Sequence, residues 1–122
     1  MLNFNRERCK KMLKKLSSHF GIQAPVLIWD SKLSKYGAAY RNLNIIELGP
    51  IPKLAMVTYE TVLLHEFSHR LSLSIRHGVK FRYALLRVVK FWYGDTDKYD
   101  WESDYKCVAK WYLNRKRNVE LT

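Results

Sequence analysis

The run His65-Glu66-Phe67-Ser68-His69 constrains this chain more than any other feature, because this H-E-x-x-H pattern lies in a segment with helical apolar periodicity. Histidines four residues apart lie on one face of a helix, with roughly 5–6 Å between their Cβ atoms, so both imidazoles can bind one metal ion. Glu66 lies one step around the helix, where its carboxylate can accept a proton from metal-bound water. The pattern therefore predicts the zinc site of a hydrolase.

Length and composition predict one α+β domain over residues 1–122. The chain is 48% apolar and 27% charged, which is typical of a soluble globular protein of a size that buries about two-thirds of its unfolded surface. Cys9 and Cys107 are isolated and show no C-x-x-C spacing, and no apolar run approaches the roughly 20 residues of a membrane span. We therefore expect free thiols, a reducing compartment and a cytoplasmic location.

Apolar periodicity and turn residues predict the order helix, three strands and three helices. The predicted elements are a helix over 5–20, a buried strand at 25–29, a hairpin of strands 36–41 and 45–48, a helix from the N-cap Thr58 to about Ile75, a helix over 79–93 ended by Gly94, and a final helix over about 99–115. The H-E-x-x-H run lies on the second of the four helices.

A catalytic zinc needs three protein ligands and an open position, so a third ligand must lie elsewhere in the chain. One candidate is His77, just past the site helix and before Gly78, where a glycine lets the chain turn back. The other is Glu102 at the start of the last predicted helix, followed by Asp104, an arrangement typical of gluzincins. Spacing alone leaves both alternatives open.

These residues resemble a known family, the SprT-like (Spartan-like) metallopeptidase domain. Residues 77–81 continue the H-E-x-x-H pattern as H-G-x-x-F, as they do in that family. Residues 29–33, followed by a glycine-containing hairpin that ends at 45–48, are similar to the strand region that precedes the family's site helix. The resemblance covers about residues 25–92 and implies a zincin-like fold.

The resemblance implies that His65, His69 and His77 bind zinc and that Glu66 is the catalytic base. It favours His77 over Glu102 as the third ligand. The chain departs from the family because two cysteines cannot build the C-terminal zinc ribbon that many of its members carry, so a family-style DNA-binding module is not expected. It also lacks the Pro-acidic pair after H-G, which leaves the metal ligands unaffected.

Charge gives an independent indication of a partner. The chain has 22 Lys and Arg against 11 Asp and Glu, a net charge of +11, which favours polyanionic partners. The positive charge collects in residues 6–15, 70–90 and 106–117, and the middle segment includes Arg82 and Lys90 with Arg87 between them. We expect DNA to bind this basic surface, and we expect no membrane association.

The sequence therefore predicts a zinc metallopeptidase that cleaves proteins, including proteins associated with DNA. One alternative is a basic nucleic-acid-binding protein with a structural or vestigial zinc site, and others are a gluzincin-type peptidase using Glu102 and a non-peptidase zinc hydrolase. Candidates for stabilising an oxyanion are Tyr36, Tyr40 and Arg70, by location only. The hairpin over 36–48 can supply an edge strand that pairs with an extended peptide.

Overall fold

The computed structural model describes residues 2–40, 42–51 and 58–121, which form an α+β protein with four helices and a small mixed sheet. The elements are α1 Leu2–Phe20, β1 Val26–Trp29, β2 Gly37–Ala39, β3 Ile45–Leu48, α2 Tyr59–Ser72, α3 Val79–Tyr93 and α4 Lys106–Leu121, with 3₁₀ turns at Thr96–Lys98 and Trp101–Ser103. The predicted order of helix, three strands and three helices is confirmed.

The three strands follow the order β1-β3-β2, with β1 parallel and β2 antiparallel to β3. The β2–β3 pair confirms the predicted hairpin, although Arg41, assigned to its first strand, lies outside the described residues. The prediction that the first strand is buried is wrong. Val26 and Ile28 are 60% and 39% exposed, because β1 pairs only with β3 and presents alternate side chains to solvent.

Helix α2 lies at the centre of the molecule, and every residue from Thr61 to His69 is buried. It packs against α1, α3, β2 and β3, so no face of this stretch is left to solvent. The Thr58 side chain accepts a hydrogen bond from the Thr61 backbone N–H at 3.2 Å, which confirms the predicted N-cap. The helix ends at Ser72 rather than Ile75.

The last helix also differs from its predicted bounds. It begins at Lys106 rather than Tyr99, because the preceding residues form 3₁₀ turns. The Trp101 indole donates to the Thr96 carbonyl oxygen at 2.8 Å, and the Tyr105 backbone N–H donates to the Asp104 side chain at 2.7 Å. The bond to Asp104 takes up a backbone N–H that a longer helix would use in its own hydrogen bonding.

The core forms where α1 and α3 cover α2. Met12, Leu13 and Leu16 lie on one face of α1 and are buried, as the helical spacing of these apolar residues predicts, and Cys9 is buried with them. Cys107 is exposed, and both cysteines are free thiols. Within the described ranges, none of the helices combines the length and apolar character needed to cross a membrane.

Candidate metal centre

Three histidines converge at the C-terminal half of α2. The Nε2 atom of His77 lies 3.0 Å from Nε2 of His65 and 3.2 Å from Nε2 of His69. One nitrogen from each ring lies within 4.8 Å of the other two, an arrangement that can hold a metal ion. The pair spaced four residues apart on α2 therefore gains its third partner from the segment between α2 and α3.

The second ring nitrogen of both α2 histidines is hydrogen-bonded. His65 donates from Nδ1 to the Asp104 carboxylate at 2.9 Å, and His69 donates from Nδ1 to the Ser74 carbonyl oxygen at 2.6 Å. Because Nδ1 carries the proton in each ring, the Nε2 lone pair faces the centre of the three histidines. Bonds of this kind fix the tautomer and orientation of metal-binding histidines.

Burial favours the neutral form of His69 and of His77. It lowers the pKa of His69 to about 4, and burial followed by the charge of His65 lowers the pKa of His77. A metal ion binds only the unprotonated nitrogen, so two of the three rings present their lone pairs without first losing a proton near neutral pH.

One aromatic ring packs against all three histidines. Phe81, the last residue of H-G-x-x-F, is fully buried, and its ring stacks on His69 with centroids 4.2 Å apart. The same ring lies 4.7 Å from His65 and 5.0 Å from His77. The H-G-x-x-F motif therefore supplies both His77, a candidate metal ligand, and Phe81, which packs against all three histidine rings.

The turn that returns the chain to the site occurs earlier than predicted. Leu73 takes the left-handed conformation, with φ 54°, and its N–H donates to the His69 carbonyl oxygen. Gly78 was expected to make this turn, but its φ is −84° and it acts as the N-cap of α3. A Cβ atom at Gly78 would meet nothing within 4 Å, so nothing in the described structure requires glycine there.

Glu102, the alternative third ligand, is exposed and is not a member of this histidine group. The residue that contacts the site from this segment is Asp104, whose carboxylate also accepts from the Tyr99 hydroxyl at 2.7 Å. Burial by itself raises the pKa of Asp104, but the hydrogen bonds from His65 and Tyr99 outweigh it and hold the pKa below its usual value. The carboxylate is therefore an ionised acceptor.

Glu66 and His65 line a cavity of about 430 Å³. Burial raises the pKa of its carboxyl to about 7, against a smaller opposing effect of His65. The cavity is also lined by Tyr36, Tyr105 and Asp104. A buried carboxyl with a raised pKa is typical of a group that exchanges protons in a cleft.

Strand β2 forms the other wall of this cavity. A Cβ atom on Gly37 would lie 2.5 Å from Val62 Cγ1 and 3.1 Å from Glu66 Cγ, so only glycine permits this approach of strand and helix. The Gly49 N–H donates to the Tyr36 carbonyl oxygen, so by antiparallel alternation the backbone groups of Gly37 and Ala39 point away from β3. They face the open edge of the sheet.

The suggested oxyanion partners occupy different positions. The Tyr40 hydroxyl donates to Glu47 at 2.7 Å and the Arg70 guanidinium donates to the Tyr40 carbonyl oxygen at 2.5 Å, so both contribute to packing around the hairpin. Tyr36 lines the cavity. Tyr105, which the sequence does not mark as a site residue, is 55% exposed, and its ring centroid lies 4.3 Å from that of His77.

Comparison with protein-family models, curated proteins and solved structures found no match to this chain. The resemblance to SprT-like domains stays a prediction based on the motif residues.

Proposed function

We propose that the protein is a zinc-dependent metallopeptidase with a zincin-like, SprT-like fold. The observation that carries the proposal is the convergence of three histidine nitrogens, one of which belongs to His65, a residue that lines the same cavity as Glu66. Tetrahedral zinc with Zn–N bonds of about 2.0–2.1 Å separates its ligand atoms by about 3.3 Å. The separations of 3.0 and 3.2 Å suit such an ion.

A zinc ion held by His65, His69 and His77 supplies, when bound, a water molecule of lowered pKa and a Lewis acid for a carbonyl oxygen. Glu66 then accepts the proton of the attacking water and delivers it to the leaving amine. The close approach of Gly37 restricts the space around the Glu66 side chain, and burial raises the pKa of its carboxyl, which makes it a stronger base. Tyr105 and Tyr36 line the cavity with hydroxyls that can donate to the carbonyl oxygen.

The position of β2 supports an extended peptide as the substrate. Its outward backbone groups, at Gly37 and Ala39, can pair with a peptide strand, and that strand would pass along the cavity beside Glu66. The packing of α2 against this short edge strand also supports the zincin-like assignment.

A structural or vestigial zinc site is the weaker alternative. Structural zinc sites are closed by four protein ligands, whereas the described residues offer a group of three next to a cavity. A structural site also needs no buried carboxyl such as Glu66.

The test combines metal analysis with the Glu66→Gln variant. We expect one zinc per purified chain in both proteins, because an amide at position 66 removes no ligand. Cleavage of a fluorescent casein substrate should fall by about 10²–10⁴-fold in the variant, since the amide cannot accept a proton from water.

The matched control is His77→Ala, which should lose both zinc and cleavage. Unchanged cleavage by Glu66→Gln would contradict the role of Glu66. Full zinc content in His77→Ala, with loss in Glu102→Gln, would move the site to the gluzincin arrangement.

A further inference from the structure

A second cavity, an open groove of about 910 Å³, is lined by α3 and α4, with the end of α1 and the first 3₁₀ turn completing its walls. It shares no lining residue with the cavity beside Glu66. Tyr83, Arg87 and Lys90 lie on one face of α3 because positions four and seven apart align along a helix, and Arg115 with Lys116 lines the groove from α4. The fold therefore brings two separate basic segments to one groove.

The groove carries uncompensated positive charge. Its acidic residue Asp97 lies 3.3 Å from the Lys116 ammonium, so these two charges neutralise each other. Among the residues that the structure describes, no carboxylate lies within ion-pair distance of Arg87, Lys90 or Arg115. Three cations remain available to an anionic ligand.

Aromatic rings alternate with these cations. The Arg115 guanidinium lies 5.5 Å from the centroid of the Tyr83 ring, which is itself 48% exposed. The Arg87 guanidinium lies 5.4 Å from the Phe20 ring, and the exposed His19 ring stacks on Phe91 with centroids 3.7 Å apart. Cations beside partly exposed aromatic rings are the combination that binds phosphates and unpaired bases together.

Part of the basic surface expected from sequence is not in this groove. The segment 6–15 contributes no lining residue, and Arg82 instead lies over the Trp111 ring at 5.7 Å. Two of the three basic segments therefore contribute cations to the groove, with Arg87 and Lys90 from α3 and Arg115 and Lys116 from α4.

We propose that this groove binds single-stranded nucleic acid, with Arg87, Lys90 and Arg115 contacting phosphates and Tyr83 stacking on a base. A single strand suits the groove better than a duplex because an exposed ring face can stack only on an unpaired base. This site is separate from the candidate metal centre and goes beyond the proposed peptidase activity. By binding nucleic acid, it would bring the peptidase site close to proteins bound to the same strand.

The experiment measures binding of a fluorescent oligo(dT) of about 20 nucleotides by anisotropy over a range of salt. Three phosphate contacts on a single strand give a log–log slope of about 2, so affinity should fall about twentyfold between 50 and 200 mM salt. Replacing Arg87 and Lys90 together by Gln should reduce the slope to about 0.7. Tyr83→Ala should weaken binding at least about fivefold and leave the slope unchanged.

The matched control replaces Lys11 and Lys14 by Gln. Both lysines are exposed on α1 and lie outside the groove, and their replacement removes the same charge as replacing Arg87 and Lys90. This variant should keep the wild-type slope. Glu66→Gln should bind oligo(dT) like the wild type, so a failure of the groove and a failure of the peptidase assignment are distinguishable.

Several outcomes would overturn the proposal. They are absence of oligo(dT) binding at low salt, an equal loss in the two double variants, and tighter binding of a duplex of the same length. Equal affinity for poly-glutamate would also overturn it and would indicate an acidic protein as the partner instead.

Discussion

Asp104 links the metal centre to the segment before α4. Its carboxylate accepts hydrogen bonds from His65, from the Tyr99 hydroxyl and from the Tyr105 backbone N–H. One side chain thereby orients a ligand and fixes the backbone of Tyr105, a cavity residue. Asp104 lies two residues after Glu102, the alternative third ligand suggested by the sequence, so the predicted segment does reach the site but through the carboxylate of Asp104.

We expect Asp104→Asn to weaken zinc binding by about 10- to 100-fold, because the neutral amide no longer supports the basicity of His65. Competition with a chromophoric chelator would measure this affinity. Glu102→Gln is the matched control, since Glu102 is exposed two residues away, and it should bind zinc like the wild type. Equal affinities for the wild type and Asp104→Asn would show that this hydrogen bond does not tune the site.

The end of α2 determines whether His77 reaches the other two histidines. Leu73 adopts φ 54° and is 64% exposed, so its side chain contributes little packing to offset an unfavourable backbone conformation. The reversal it allows lets the Ser74 carbonyl oxygen accept from His69. The strained backbone of Leu73, at the end of α2, thus accompanies the positioning of His69.

Leu73→Gly should raise the free energy of unfolding by about 0.5–1 kcal/mol. Left-handed backbone costs a non-glycine residue roughly 1–2 kcal/mol, and the entropy that glycine gains in the unfolded chain cancels part of this relief. Urea denaturation would measure the change, and zinc content should stay the same.

Gly78→Ala serves as the control for this turn and should change stability by no more than about 0.5 kcal/mol, because Gly78 has negative φ and open space around it. A larger loss in Gly78→Ala than in Leu73→Gly would place the critical turn at Gly78 after all.

At the scale of the whole molecule, the group of three histidines joins separate parts of the fold. His65 and His69 belong to α2, His77 lies between α2 and α3, and Asp104 connects the site to the segment before α4. A metal ion bound only by the folded chain stabilises that chain according to its free concentration relative to its dissociation constant.

Chelation should therefore lower the melting temperature. At free zinc of about 100 times the dissociation constant, the stabilisation is about 2.7 kcal/mol, which corresponds to a melting temperature on the order of 10 °C higher for a domain of this size. Differential scanning fluorimetry with and without EDTA would measure this shift. His77→Ala should melt at the same temperature under both conditions; an EDTA effect of equal size in this variant would argue against the three-histidine site.

The sequence by itself determined the helices, the hairpin, and the pair His65 and His69 with Glu66 beside them, because these features depend on local periodicity and on spacing within one helix. It also indicated the capping of α2 by Thr58, since a capping bond joins residues three positions apart.

The tertiary structure alone decided the features that depend on contacts between distant segments. Hydrophobic packing of α2 against α3 placed His77 with the α2 histidines, and the 3₁₀ turns before α4 brought Asp104 rather than Glu102 to His65. The same packing put β1 at an exposed edge and brought two cations of α3 and two of α4 into one groove. Periodicity specifies which face of an element is apolar, but the partner that covers that face is set by the packing of the whole chain.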